Sequence, residues 1–267
     1  MKVKCFFFLL FALIFSGCAP KVTQSPQLNT DVYLKASYST PDTAIQIDTV
    51  TLLDGSRNRL IPVATYYAAT KSAEAAKKRL VIVNPGYGGK NTDYQYIAKN
   101  LAINGYFVVT IQHDLPTDDS LPNTGDIYKL RKPFWEGGAK NVFFVTNEIK
   151  KRYPQVDYSD IILIGHSNGG DIAMLIANEY PEFAKVIISL DNRRVSFPRS
   201  DHPKILSIRS SDQPADPGVL PSQGEQEKYK IKIVKVNIRH NDMGGMGTQS
   251  EKWKINHLIL EFLSHNQ

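Results

Sequence analysis

The sequence predicts an α/β fold: a mainly parallel central sheet with helices on both faces, preceded by an antiparallel hairpin. Compact apolar runs, typical of buried strands, alternate with segments whose apolar residues recur at helical spacing. This alternation indicates right-handed crossovers between parallel strands. Two runs of alternating apolar and polar residues lie on either side of Asp54-Gly55, which is typical of a hairpin with a short loop. The 267-residue length and 42% hydrophobic content are sufficient for one sizeable core.

The elements follow one another in a regular order after the hairpin, which is predicted at 44–67. The predicted strands span 79–86, 107–114, 160–167, 184–191, 203–210 and 231–238. The predicted helices span 92–106, 135–153, 170–183 and 250–263. The segment 115–133 contains Pro, Asp and Gly and few apolar residues, which predicts a loop covering the ends of the strands. The sequence contains no glycine-rich phosphate-binding loop.

The N-terminus resembles a bacterial lipoprotein signal. Residues 1–17 combine a lysine-containing head, an apolar run and a Ser-Gly pair directly before Cys18. The resemblance implies cleavage before Cys18, lipidation of its thiol and a membrane-anchored lipoprotein of the bacterial cell envelope. Ala19 favours sorting to the outer membrane where the envelope has two membranes. The alternatives are an ordinary signal peptide and an uncleaved anchor.

The rest of the chain divides into a tether and a catalytic domain. Residues 18–43 are rich in Pro, Ser, Thr, Gln and Asn, and their apolar residues do not recur at a regular spacing. This composition predicts a flexible tether. The domain is predicted at 44–267. Cleavage would remove Lys2 and Lys4, which lowers the net charge from +6 to +4.

Charge and cysteine content exclude several classes of function. The 32 basic and 26 acidic residues are spread along the chain, whereas a nucleic-acid binder concentrates basic residues in a patch. The sequence therefore predicts no nucleic-acid partner. Its two cysteines are Cys5, in the signal, and the lipidated Cys18. No thiol remains for a disulfide, a metal site or a cysteine nucleophile.

A serine nucleophile is predicted in the stretch "GHSNGG". Residues 165–169 fit the pattern G-x-S-x-G, with an apolar strand before and a helix after. A serine in such a sharp turn has a strained backbone, and side chains two positions away would collide with the turn. The glycines therefore favour a turn that exposes the hydroxyl of Ser167 at the carboxyl end of the strand. The simpler alternative is an ordinary strand–helix turn.

The catalytic base is predicted to be His240, because a serine hydroxyl is a poor nucleophile without one. His240 follows a predicted strand near the end of the chain. The other histidines are interpreted as structural or solvated, with His113 the one expected nearest the pocket. They are His113, His166, His202, His257 and His265.

A carboxylate is needed to orient the imidazole and stabilise its charged form. Asp212, just past the strand that precedes the strand of His240, is the expected neighbour. Asp191, at the end of another strand, and Asp216 are the alternatives. The chain order Ser, Asp, His accommodates all three.

Taken together, the strand–"GHSNGG"–helix arrangement, "PKILSIRSSD" and "RHNDM" resemble the α/β-hydrolase superfamily over roughly residues 45–265. "LLDGSRNRLIPVATYY" and the stretch from "LVIVNPGYGG" to "TIQHD" resemble the branch with predicted dienelactone hydrolases and platelet-activating-factor acetylhydrolases. That branch has a His-Gly loop after the first parallel strand, where this chain has "NPGYGG".

The resemblance implies a lipid-anchored serine hydrolase that cleaves small or lipid-like carboxylic esters through an acyl-enzyme. Backbone N–H groups of Tyr87 and Asn168 would form the oxyanion hole. No metal or organic cofactor is implied. The alternatives are a peptidase or polyester hydrolase with the same triad, and a surface binding lipoprotein that keeps the fold without turnover.

Overall fold

The structure is a computed structural model that describes residues 35–39, 45–69 and 77–266. Its strands are β1 Lys35–Ser39, β2 Ile45–Asp54, β3 Arg59–Ala68, β4 Arg79–Asn84, β5 Phe107–Ile111, β6 Asp157–His166, β7 Val186–Leu190, β8 Lys204–Arg209 and β9 Lys232–Lys235. Its helices are α1 Gln95–Ile103, α2 Ile127–Arg152, α3 Asn168–Glu179, α4 Gln223–Tyr229 and α5 Gln249–Ser264, with a 3₁₀ turn at His240–Met243. The predicted signal at 1–17 and the lipidation site Cys18 lie outside the described residues.

The described strands form one sheet in the order β1-β2-β3-β5-β4-β6-β7-β8-β9. Strands β2 and β3 pair antiparallel from Ile45 opposite Ala68 to Asp54 opposite Arg59, which confirms the predicted hairpin. The carboxylate of Asp54 closes the turn by accepting hydrogen bonds from Ser56. Strand β1 pairs antiparallel with β2, so this part of the segment interpreted as a tether is joined to the sheet.

The parallel part of the sheet runs from β5 through β4 and β6 to β9, and the strand order switches direction between β4 and β6. All residues of β5 and β7 are buried, which explains why the sequences of these strands are nearly continuous apolar runs. Parallel strands end at the same edge of a sheet. The residues after β4, β6 and β7 therefore lie close together.

Helices cover both faces, as predicted. One apolar cluster joins the sheet to α2 and α3 through side chains such as Trp135, Val142 and Ile172. The other joins the opposite face to α1 and α5 through Leu101, Ile259 and others. No helix among the described residues has the length and apolar character needed to cross a membrane.

Helix α2 begins at Ile127, inside the segment predicted to be a loop. The side chain of Asp126 caps it by accepting the Lys129 N–H at 3.1 Å, and Pro133 lies within its second turn. Tyr128 and Leu130, in the first part of this helix, are about half exposed. The apolar residues of this part therefore do not recur at the helical spacing that marks a face packed against the core.

Helix α4 was not predicted either. None of its residues is buried, and it begins with a capping box between Ser222 and Glu225.

Candidate active site

Ser167 lies in a strained turn between β6 and α3. Its φ of +51° places a non-glycine residue in a region that side chains rarely adopt. A Cβ on Gly165 would lie 2.2 Å from the carbonyl oxygen of Gly169, and one on Gly169 would lie 2.1 Å from that of Asn84. Both glycines are therefore required by sterics, as the sequence predicted. The Ser167 N–H donates to the carbonyl of Leu190 at 2.9 Å and ties the turn to β7.

His240 directs its imidazole at Ser167 from the 3₁₀ turn that follows β9. The distance from His240 Nε2 to Ser167 Oγ is 2.9 Å, and Nδ1 lies 2.6 Å from Oδ2 of Asp191. Because the carboxylate only accepts, Nδ1 carries the proton and Nε2 is free to accept from the serine hydroxyl. The predicted pairing of Ser167 with His240 is present in the structure.

Asp191 is fully buried at the end of β7. Ser210 donates to it from both its N–H, at 3.0 Å, and its hydroxyl, at 2.6 Å. The Arg209 guanidinium lies 2.8 Å from Oδ1. Burial alone would raise the pKa of Asp191, but the hydrogen bond from His240 and the charge of Arg209 together hold it below its ordinary value. The carboxyl group is therefore ionised at neutral pH.

The choice of Asp212 as the carboxylate that orients the imidazole is corrected by this geometry. Oδ1 of Asp212 accepts the backbone N–H of His240 at 2.7 Å, whereas the imidazole contacts Asp191, the first alternative. Ser210, directly after β8, donates to Asp191, whereas Asp212 is exposed and meets His240 at its backbone N–H. The other alternative, Asp216, forms an ion pair with Arg194.

The two predicted oxyanion donors come from the loop after β4, which contains Tyr87, and from Asn168, which directly follows the serine. Asn168 is the first residue of α3, so its N–H has no acceptor within the helix. In the loop after β4, the N–H groups of Gly86 and Gly88 are bonded to the hydroxyl of Tyr94 and the carboxylate of Asp114. Among the hydrogen bonds of the described residues, the Tyr87 N–H has no acceptor. Both predicted donors thus remain available for a ligand.

His166 and Tyr94 connect the loop after β4 with His240, and no local pattern in the sequence predicts this link. His166 Nε2 lies 3.0 Å from the His240 carbonyl oxygen, and its Nδ1 lies 2.6 Å from the Tyr94 hydroxyl. Since the carbonyl only accepts, Nε2 carries the proton and Tyr94 donates to Nδ1. Tyr94 in turn accepts the Gly86 N–H at 3.1 Å. His166 is therefore structural, as expected, but it holds the main chain of His240.

A cleft of about 610 Å³ opens beside Ser167 and His240. One wall is the loop after β4, with Thr92, Asp93 and Gln95 beyond it, and the other is the turn from Asn241 to Met246. Within residues 45–69 and 77–266, no group of three or more His, Cys, Asp or Glu side chains is arranged to hold a metal ion.

None of the remaining histidines lines the cleft beside Ser167. His113 is buried and lines a second cavity, whereas His257 stacks on Trp253 and His265 contacts the carbonyl of Glu261. Burial lowers the pKa of His113 and of His166 to about 3. Both imidazoles are therefore neutral at physiological pH.

The two buried neutral histidines predict a loss of stability in acid. Unfolding returns each pKa from about 3 to about 6.5, so between these pH values the unfolded chain binds more protons. The free energy of unfolding should fall as the pH decreases through this window, by up to about 1.4 kcal/mol per pH unit per histidine.

Urea unfolding between pH 4.5 and 7.5 measures this dependence. His113→Gln should reduce the slope, and the same change at the exposed His257 should not. An unchanged slope in His113→Gln would contradict the assignment.

Solved structures similar to this chain have the α/β-hydrolase fold, which confirms the predicted fold class. A dienelactone hydrolase-like promiscuous phosphotriesterase from metagenomic libraries is 16% identical, with a TM-score of 0.62 over 84% of this chain and 99% of its own. An S-formylglutathione hydrolase from Agrobacterium tumefaciens is 14% identical, with a TM-score of 0.59 over 86% and 98%. An esterase from the archaeon Pyrobaculum calidifontis is 14% identical, with a TM-score of 0.56 over 80% and 81%. No protein-family model and no curated protein sequence matches the chain.

Proposed function

We propose that this chain is a serine hydrolase that cleaves carboxylic esters through an acyl-enzyme, with Ser167, His240 and Asp191 as its catalytic triad. The observation that carries the proposal is the continuous line of hydrogen bonds from Ser167 Oγ through the imidazole to Asp191, at 2.9 and 2.6 Å. The line starts at a strained serine that lines an open cleft. A turn with a purely structural serine requires none of these contacts.

In the first half of the reaction, Ser167 Oγ bonds to the ester carbonyl carbon while its proton moves to His240 Nε2. The carbonyl oxygen becomes an oxyanion that accepts from the N–H groups of Tyr87 and Asn168. Each such donor typically lowers the barrier by about 3 kcal/mol. The tetrahedral intermediate then expels the alcohol, which takes the proton from His240, and leaves an acyl group on Ser167.

In the second half, His240 accepts a proton from water as the water oxygen bonds to the acyl carbon. The bond to Ser167 Oγ breaks, the serine recovers its proton and the carboxylic acid leaves. Asp191 stays ionised and stabilises the imidazolium in both halves. Because His240 protonates the alcohol, we expect the alcohol to leave on the side of the cleft next to His240, which is formed by Asn241 to Met246.

Rapid mixing with p-nitrophenyl acetate tests the proposal. An acyl-enzyme mechanism predicts release of nitrophenolate in a burst approaching one equivalent per protein when deacylation is slower than acylation. Turnover no faster than in buffer would reject the proposal in favour of a binding lipoprotein with this fold.

The membrane anchor is part of the same proposal and rests on the resemblance of residues 1–18 to a lipoprotein signal. Cells expressing the full chain and fed radiolabelled palmitate should yield labelled protein in the membrane fraction. Cys18→Ser should lose the label, whereas Cys5→Ser should keep it. Equal labelling of Cys18→Ser would contradict lipidation at this residue.

The Tyr94–His166 link predicts a moderate effect on catalysis. Tyr94→Phe removes the donor to His166 and the acceptor of the Gly86 N–H, so both the oxyanion loop and the main chain of His240 lose a restraint. We expect kcat to fall roughly tenfold, equivalent to about 1.4 kcal/mol, with little change in KM.

Tyr158→Phe is the matched control for this prediction, because its hydroxyl donates to the carbonyl of Tyr153, away from Ser167. An equal kcat for Tyr94→Phe and the wild-type protein would show that the link does not position His240.

A further inference from the structure

A second cavity, of about 260 Å³, lies between α2, the first turn of α3, the loop after β5 and the β2–β3 hairpin. It shares no lining residue with the cleft beside Ser167. It does border the same turn, because Asn168 lines it. Since one water occupies about 30 Å³ in the liquid, the cavity has room for a small organic molecule.

Asn141 lines this cavity and has an unpaired hydrogen-bond acceptor. The Asn84 amide donates to the carbonyl of Ile164 at 3.3 Å, so its oxygen accepts from Nε2 of His113 at 2.9 Å. The neutral His113 then has a lone pair on Nδ1, toward which Asn141 directs its NH₂ group at 3.5 Å. This chain of contacts orients the oxygen of Asn141 away from His113. That oxygen is buried and has no partner among the described residues, on a side chain that is only 1% exposed.

Arg57 also lines the cavity and has an unpaired donor. Its Nε donates to Asp54 at 2.6 Å, and its Nη1 donates to the Gly137 carbonyl at 3.4 Å. Its Nη2 is buried and has no acceptor among the described residues. A buried donor and a buried acceptor without partners are each costly, and a ligand that pairs with both would remove that cost.

The charges around the cavity disfavour an anionic ligand. Three carboxylates line it, from Asp114, Asp118 and Asp119, against the two guanidinium groups of Arg57 and Arg59. Arg59 is already paired with Asp118 at 2.7 Å, and Arg57 is paired with Asp54. An added anion would therefore meet a net negative surface.

We propose that this cavity binds a small neutral molecule with several hydroxyl groups, of the sugar or polyol class. A hydroxyl group can donate to Asn141 Oδ1 and accept from Arg57 Nη2, which an ammonium group cannot do. Phe134 and Ile172 supply an apolar wall for the carbon skeleton. This site is separate from the proposed esterase activity and does not depend on it.

Gly137 provides a variant that blocks the cavity. It lines the cavity from α2, and a Cβ added there would meet no atom within 4 Å. Gly137→Leu should therefore fill the cavity without a clash and favour the helix through its propensity. Gly224→Leu is the matched control, because Gly224 is also helical with open space around it but lies in α4.

Ligand-observed NMR titration of the protein with D-glucose, D-xylose and myo-inositol, and with D-gluconate as the anionic counterpart of glucose, tests the proposal. We expect saturable binding of at least one neutral probe with a Kd of about 1 mM or tighter. For D-gluconate, and for the neutral probe in Gly137→Leu and in Asn141→Ala, binding should be at least tenfold weaker. Gly224→Leu should bind as the wild-type protein does.

Three results would overturn the proposal: no saturable binding of any neutral probe, binding of D-gluconate as tight as that of glucose, or unchanged binding in both Gly137→Leu and Asn141→Ala. The hydrolysis of p-nitrophenyl acetate is measured on the same samples. A failure of this site is thereby distinguished from a failure of the proposed esterase activity.

Discussion

Ser167→Ala should lower kcat for ester hydrolysis by roughly 10⁴- to 10⁶-fold, while the protein stays folded. Removal of the hydroxyl leaves the oxyanion donors and the cleft in place but removes the atom that forms the acyl-enzyme. The substitution removes one hydrogen bond, since His240 Nε2 is the only hydrogen-bond partner of this hydroxyl among the described residues. Folding is checked by circular dichroism, and activity by steady-state kinetics with a small acyl ester.

The exposed Ser196 is the control for this substitution, because Ser196→Ala changes the same group away from the cleft. Its kcat should equal that of the wild-type protein. If Ser167→Ala kept more than about a tenth of the wild-type kcat, another nucleophile would be responsible.

Asp191→Asn should lower kcat by roughly 10⁴-fold, whereas Asp212→Asn should lower it by less than about tenfold. An asparagine at 191 offers an NH₂ group or a neutral oxygen where His240 Nδ1 now meets a carboxylate at 2.6 Å, and it cannot stabilise the imidazolium. An asparagine at 212 can still accept the backbone N–H of His240 through its oxygen. The two variants therefore distinguish contact with the imidazole from contact with the main chain.

Stability must be measured alongside activity for this pair, because Asp191→Asn also leaves Arg209 without its buried counter-charge. Breaking such a pair typically costs about 3–5 kcal/mol. Urea unfolding curves show whether each variant is folded under the assay conditions. A folded Asp212→Asn with a lower kcat than a folded Asp191→Asn would contradict the triad.

Much of the fold was predictable because apolar residues form continuous runs in buried strands and recur at helical spacing in amphipathic helices. The continuous apolar runs of β5 and β7 and the core-facing residues Ile255 and Ile259 of α5 are examples. The start of α2 and the whole of α4 were not predictable in this way. The apolar residues Tyr128 and Leu130 are half exposed, and α4 buries no residue, so neither segment shows a pattern facing the core.

The part of the candidate site that was predictable from the sequence is the turn around Ser167, because steric contacts between neighbouring residues determine it. The requirement for Gly165 and Gly169 around Ser167 follows from the turn itself. The selection of Asp191 over Asp212 depends on the path of the chain after β8, where Ser210 bonds to Asp191 and Asp212 bonds to the backbone N–H of His240. The Tyr94–His166 link joins residues 72 positions apart. Neither feature leaves a local pattern in the sequence.

The most direct test of the proposed catalytic serine is covalent labelling with a fluorophosphonate probe, followed by mass spectrometry of the digested protein. The probe reacts only with a serine whose hydroxyl is activated by a neighbouring base. We expect one label per protein on the peptide containing Ser167, and none in Ser167→Ala or in His240→Ala. Equal labelling of the wild-type protein and Ser167→Ala, or no labelling of the folded wild-type protein, would contradict the assignment of Ser167 as the nucleophile.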